Sequence, residues 1–181
     1  YILFFILLGC EKNESGDSQA EVVDRSWVTW DTCGQKPQDN PCNFILKNQD
    51  GDEVELYDYH GKVIIVDLST MWCGVCKSIA PVGDALVAEY GSENLVWLTI
   101  LVEDETGLTP DTDDLKRWVD FYSGSPPVLG GDRSLIDPDA VTGYPVSGWP
   151  TLAVIDRNMV LTNGVNGWSE SYIRGWIEDS L

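Results

Sequence analysis

Strand-like and helix-like segments alternate after Trp27, which predicts an α/β domain with a central mixed β-sheet flanked by helices. Three observations carry this expectation. Two apolar runs, VIIVDL (63–68) and LVWLTILV (95–102), read as strands buried on both faces. Apolar residues between and after them recur at helical spacing. Near the chain's end, residues 152–155 and a partner opening at Val160 and Leu161 read as an antiparallel pair, which makes the sheet mixed.

The elements follow in order. Residues 1–8, YILFFILL, are apolar but fall short of the ~20 residues that span a bilayer. They read as the apolar part of a signal peptide whose start lies outside this sequence. LLGC (7–10) resembles the lipobox of bacterial lipoproteins, with small Gly9 before the cysteine. That resemblance implies lipidation of Cys10 and anchorage to a bacterial membrane, facing the periplasm or the cell exterior. A cleaved signal with an incidental cysteine is the plainer alternative. Residues 11–26, opening EKNESGDSQA, are polar and aperiodic, as expected of a flexible tether. One domain, 27–181, is expected beyond it.

In that domain, residues 44–47 and 54–56 flank NQDGDE, whose Asp50-Gly51 is a hairpin signal. After the strand at 63–68, Ile79, Val82, Leu86 and Tyr90 mark a helix from Cys73 that Gly91 stops and Pro81 kinks. The strand at 95–102 leads to a helix over 112–122, with Leu115, Trp118, Val119 and Tyr122 on one face and Asp111 or Thr112 as cap. Pro127-Val128-Leu129 is a further short strand. Residues 169–181 close the chain as a helix capped by Ser169, with Ile173, Trp176 and Ile177 inward.

The formal net charge of −19 repels phosphates and anionic lipid headgroups, so nucleic acid is excluded as a partner. The acidic stretch EDETGLTPDTDD (103–114) lacks the spacing and glycine of an EF loop and is expected to be a solvated loop.

The chemistry centres on TMWCGVCK (70–77). Cys73 and Cys76 lie where a buried strand ends and a helix begins. The first helical turn carries unpaired N–H groups and a positive dipole end, which stabilise a thiolate at Cys73. Cys76, one turn on, is placed to close a disulfide. An attacking thiolate with a second thiol behind it is what thiol–disulfide exchange requires. A zinc site would need two further ligands, yet the chain has one histidine, His60, outside any second ligand pair. Two inert buried thiols are the bland alternative.

VIIVDLSTMWCGVCKSIAP resembles the active-site strand and helix of thioredoxin-like proteins. Trp72, Cys73, Gly74, Cys76 and Lys77 match their W-C-G-x-C-K signature, and Pro81 matches their helix-kinking proline. Gly148-Trp149-Pro150-Thr151 resembles their second signature, a cis-proline and threonine ahead of a strand. The stretch from Cys76 to Pro150 is longer than in plain thioredoxin and fits an inserted strand–helix unit at about 95–122. That insertion, the hairpin before the active-site strand and the lipobox together resemble the TlpA-like extracytoplasmic disulfide reductases. The chain departs from the pattern at Val75, where thioredoxin has proline, and at Ile79, where some cytochrome-maturation members have glutamate. Trp149 is also bulkier than the usual residue before the cis-proline.

The resemblance implies that Cys73 attacks a protein disulfide, Cys76 resolves, and Asp67 serves as proton acceptor for the second cysteine. Read from its apolar neighbours alone, Asp67 is either a buried acid or a strand-end residue turned to solvent. Trp72, Trp149, Pro150 and Thr151 would line the substrate groove. Cys33 and Cys42, in CGQKPQDNPC, read as a structural disulfide worth ~2 kcal/mol, with a second redox pair as the sharper alternative. No metal or organic cofactor is required, a monomer is expected, and the resemblance implies a membrane thiol electron donor. A peroxidase of this fold, suggested by Thr70 three residues before Cys73, and a non-catalytic binding lipoprotein are the rival functions.

Overall fold

The structure, a computed structural model, describes residues 23–122 and 127–181. Cys10, the segment before it and most of the expected tether lie outside the described residues. Seven strands form one mixed sheet in the order β2-β1-β5-β4-β3-β6-β7. They are β1 (Ile45–Asn48), β2 (Glu53–Glu55), β3 (Val63–Thr70), β4 (Leu95–Glu103), β5 (Val128–Gly130), β6 (Thr151–Ile155) and β7 (Leu161–Asn166). Among the described residues, three α-helices accompany them: α1 (Gly74–Tyr90), α2 (Thr112–Phe121) and α3 (Glu170–Ser180).

β3 and β4 pair in parallel at the centre, and β6 joins β3 antiparallel. Every residue of β3 and β4 is buried, as their long apolar runs lead one to expect, and this includes the polar Asp67, Ser69, Thr70, Thr99 and Glu103. The two faces are filled differently. Val63 and Ile65 of β3 pack with Ile79 and Leu86 of α1 and Ile173 and Ile177 of α3. Leu101 and Val128 pack on that face with Leu115 and Trp118 of α2. Ile64, Val66 and Leu68 point the other way, into a core closed by Phe44, Tyr57, Tyr144 and half-buried Trp27 and Trp30.

Local signals end the elements. The β1–β2 hairpin turns through Gly51 at φ +88°, a left-handed conformation that favours glycine. Gly91, at φ +87°, ends α1 as expected. Asp111 caps α2 in a reciprocal box with Asp114.

Several expectations need correction. Ser169 stands at the N-cap of α3, but its hydroxyl meets the hydroxyl of Ser171 and bonds no helical N–H. The stretch from Glu103 to Asp114 is not uniformly solvated: Glu103 ends β4 and is buried, and Asp114 is buried in the capping box. The packed chain also begins before Trp27, since the Arg25 guanidinium donates to the Tyr57 carbonyl at 2.9 Å and pairs with Glu55 and Asp58.

Candidate active site

β3 delivers the chain to the start of α1, and both cysteines sit at that junction. Cys73 is the N-cap residue, and its sulfur accepts the backbone N–H of Cys76 at 3.1 Å. The cap position is normally held by an oxygen; here a sulfur meets the unpaired N–H groups and the positive end of the helix. The two cysteines are bonded as a disulfide, with Cα atoms 5.3 Å apart. They are unequally buried: Cys73 is 7% exposed, Cys76 0%. Cys76 packs with Ala80, Leu101, Leu115 and Trp118 under the site.

The second signature comes to the same place. The Trp149–Pro150 bond is cis, and Trp149 packs against the cluster that holds both cysteines. Its ring stands edge-on to Trp72, with centroids 6.4 Å apart. The Thr151 hydroxyl lies 2.8 Å from the Gly148 carbonyl and 2.7 Å from Asn166 Oδ1, and the Gly167 N–H donates to the Pro150 carbonyl. These bonds tie the proline loop to the end of β7. Trp72, 47% exposed, and Val75, 48% exposed, present apolar surface beside the sulfurs. Lys77 pairs with Glu105 at 2.9 Å and lies over the Tyr122 ring.

Asp67 is fully buried, which answers the question its apolar neighbours left open. β3 turns its side chain to the face that α1 covers. Ser69 donates to Oδ1 at 2.6 Å, and Trp97 and Thr99 donate to Oδ2 at 3.2 and 3.3 Å. All three donors are neutral, so no cation offsets the loss of water. Burial pushes the carboxyl up to about 6 from 3.8, against the pull of the three hydrogen bonds. None of those partners is a cysteine. Ile79, at the position where some relatives have an acid, is buried in the apolar core.

Cys33 and Cys42 form a disulfide with Cα atoms 4.8 Å apart. The loop they close runs beside β7: the Leu161 N–H donates to the Asp39 carbonyl, and the Gln38 N–H to the Leu161 carbonyl.

Two residues at the site escape a reading of the sequence. Glu103 accepts the Trp72 indole N–H at 2.7 Å, and Arg133 pairs with the same carboxylate. An acid directly after the largely apolar run of β4 was the available signal for Glu103. For Asp67, the polar Thr99 two residues after Trp97 marked a polar position on one face of β4.

Fold and site together define a protein of the thioredoxin fold that carries its cysteine pair at the head of a helix, beside a cis-proline. More narrowly, the chain belongs to the AhpC/TSA family, whose model matches residues 37–163. Thiol-disulfide oxidoreductase ResA of Bacillus thuringiensis subsp. konkukian is 27% identical over 128 residues, 69% of this chain and 66% of that protein. Thioredoxin of Coprinus comatus is 30% identical over 60 residues, 33% of this chain and 57% of that one. The matched stretches thus leave a third or more of either relative uncovered. Among solved structures, the pneumococcal exposed lipoprotein thioredoxin Etrx1 of Streptococcus pneumoniae superposes with a TM-score of 0.61. It is 27% identical, and the match covers 76% of this chain and 99% of that one.

Proposed function

We propose that this chain is a thiol–disulfide oxidoreductase that reduces protein disulfides outside the cytoplasm. One observation carries the reading: the Cys73 sulfur caps α1 and takes the Cys76 N–H, with the Cys76 sulfur bonded to it from the buried side. A thiolate at that cap is stabilised, and its partner is in place to displace whatever it captures.

In the reduced protein the Cys73 thiolate attacks one sulfur of a substrate disulfide. The other substrate sulfur leaves as a thiolate and takes a proton. Cys76 passes its proton to Asp67, attacks the Cys73 sulfur and expels the second substrate thiolate, which is protonated in turn. Two electrons have then moved to the substrate, and the Cys73–Cys76 disulfide remains. An external dithiol must restore it, and the resemblance to TlpA-like reductases implies a membrane thiol donor. Trp72, Trp149, Pro150 and Thr151 line the path of the substrate chain. The Cys33–Cys42 disulfide is structural in this reading.

Anchorage through lipid at Cys10 is part of the proposal. LLGC supports it, as does the likeness to a protein described as an exposed lipoprotein. No helix among the described residues is long and apolar enough to cross a membrane. With a complete signal restored, Cys10→Ser should release the protein from the membrane fraction; retention would end this part of the reading. For the activity, the purified protein should accelerate insulin reduction by dithiothreitol, and Cys73→Ser should abolish the acceleration. Undiminished acceleration by that variant would refute the role given to Cys73.

A further inference from the structure

We propose that Arg133, Glu103 and Trp72 form a clamp that selects protein disulfides for Cys73, with Glu103 and Arg133 as positioning residues. The inference rests on the oxidoreductase reading above and adds to it what governs access.

Glu103 is the last residue of β4 and is 4% exposed. Its carboxylate is used on both sides. One oxygen accepts the Trp72 indole N–H at 2.7 Å, and the other pairs with the Arg133 guanidinium. Its backbone carbonyl also accepts the Met71 N–H at 2.9 Å. The end of β4 therefore holds both the backbone before Trp72 and the Trp72 ring.

Arg133 opens a single 3-10 turn, Arg133–Ile136, on the connection between β5 and β6, and its side chain is 72% exposed. A carboxylate buried to this extent is costly without a counter-charge, and Arg133 supplies one. The ion pair also fixes the carboxylate in place, so that its second oxygen stays on the indole N–H. Arg133 thus acts on Trp72 through Glu103, although it makes no contact with the cysteines. The indole also meets the edge-on ring of Trp149, the residue before Pro150. Held in this way, a half-exposed indole is a fixed wall beside Cys73.

Such a wall matters unequally to different substrates. A small disulfide needs only the sulfur of Cys73. A disulfide within a polypeptide brings chain against the indole, and loses contacts if the ring is free to turn. The clamp is accordingly a device for KM on protein substrates rather than for the exchange chemistry itself.

The test compares wild type with Arg133→Met, Arg133→Lys and Trp72→Phe. Insulin and 5,5′-dithiobis(2-nitrobenzoate) are the protein and small disulfides. The indole N–H signal of Trp72 is followed by nitrogen-15 NMR and assigned by its loss in Trp72→Phe. Arg133→Met should raise KM for insulin about tenfold, the scale of one charge-assisted hydrogen bond, and leave turnover of the small disulfide within about twofold. Its Trp72 N–H signal should move and exchange faster with water, and Arg133→Lys should restore both readouts. Combining Arg133→Met with Trp72→Phe should raise KM no further than either alone. An unmoved N–H signal in Arg133→Met, or an equal loss on both substrates, would overturn the clamp while leaving the oxidoreductase reading intact. A wild type that reduces neither disulfide would overturn that reading, and the selection of substrates with it.

Discussion

The Trp97 indole N–H of β4 donates to the Asp67 carboxylate of β3 across 3.2 Å, wholly inside the protein. Ser69 and Thr99 complete a shell of neutral donors around that acid. The acid lies on the sheet face covered by α1, the helix that carries the cysteine pair.

A pH dependence follows from this shell. The folded-state pKa of Asp67, about 6, lies above its ordinary value of 3.8, so the folded protein holds this proton more tightly than the unfolded chain. The stability due to protonation is complete below the ordinary value and is lost as pH rises through about 6. At neutral pH the buried charge then costs about 3 kcal/mol. Asp67→Asn removes that cost. Its amide oxygen can accept from Trp97 and Thr99, and its NH2 can donate to the Ser69 hydroxyl. Urea unfolding should find the variant more stable than wild type at pH 7–8, by up to about 3 kcal/mol, with the gain vanishing near pH 4. A gain that does not change with pH would mean that Asp67 does not titrate in this window.

The same substitution should slow turnover. If Asp67 takes the proton of Cys76, Asp67→Asn should lower the rate of disulfide reduction near pH 7 by about tenfold or more. Stopped-flow oxidation of the reduced protein from pH 5.5 to 9 measures this. Superimposable pH profiles for wild type and variant would leave Asp67 without a catalytic part.

Gly83 offers a steric test of the same region. A Cβ there would lie 2.8 Å from the Trp97 ring. Alanine is ordinarily the better helix former by about 1 kcal/mol. The buried ring cannot withdraw without disturbing Asp67, so Gly83→Ala should nonetheless destabilise the protein, by about 1–3 kcal/mol. A stabilised variant would show that the ring has room to move.

Much of this arrangement was legible in the sequence, for physical reasons. β3 and β4 announce themselves because strands buried on both faces are mostly apolar, and their few polar residues, such as Asp67 and Thr99, find partners inside. The cysteine pair and the Trp-Pro-Thr segment are local signatures that the fold brings together around Trp149. Other parts depend on contacts between distant residues. Residues 23–44 have no regular periodicity; they are held by rings, as where Trp27 stacks on His60 with centroids 4.0 Å apart. β5 was marked by its short apolar run, but its place between β1 and β4 rests on pairing with strands remote in sequence. Glu103 looked like the start of an acidic loop because its two partners, Trp72 and Arg133, are remote in sequence.

The disulfide between Cys33 and Cys42 should act on stability alone. Replacing both with alanine should cost about 2 kcal/mol, or roughly 4–8 °C in Tm, with catalytic reduction of insulin unchanged. Lost activity at unchanged Tm would point to a relay instead.

The central claim is that Cys73 attacks and Cys76 resolves, and trapping the intermediate tests it most directly. Cys76→Ser cannot complete the exchange, so incubation of its reduced form with a disulfide-bonded polypeptide should accumulate a mixed disulfide. Mass spectrometry of the digested adduct should find the substrate on Cys73, and Cys73→Ser should give no comparable adduct. An adduct on Cys76 in the Cys73→Ser protein, with none on Cys73 in Cys76→Ser, would contradict the account.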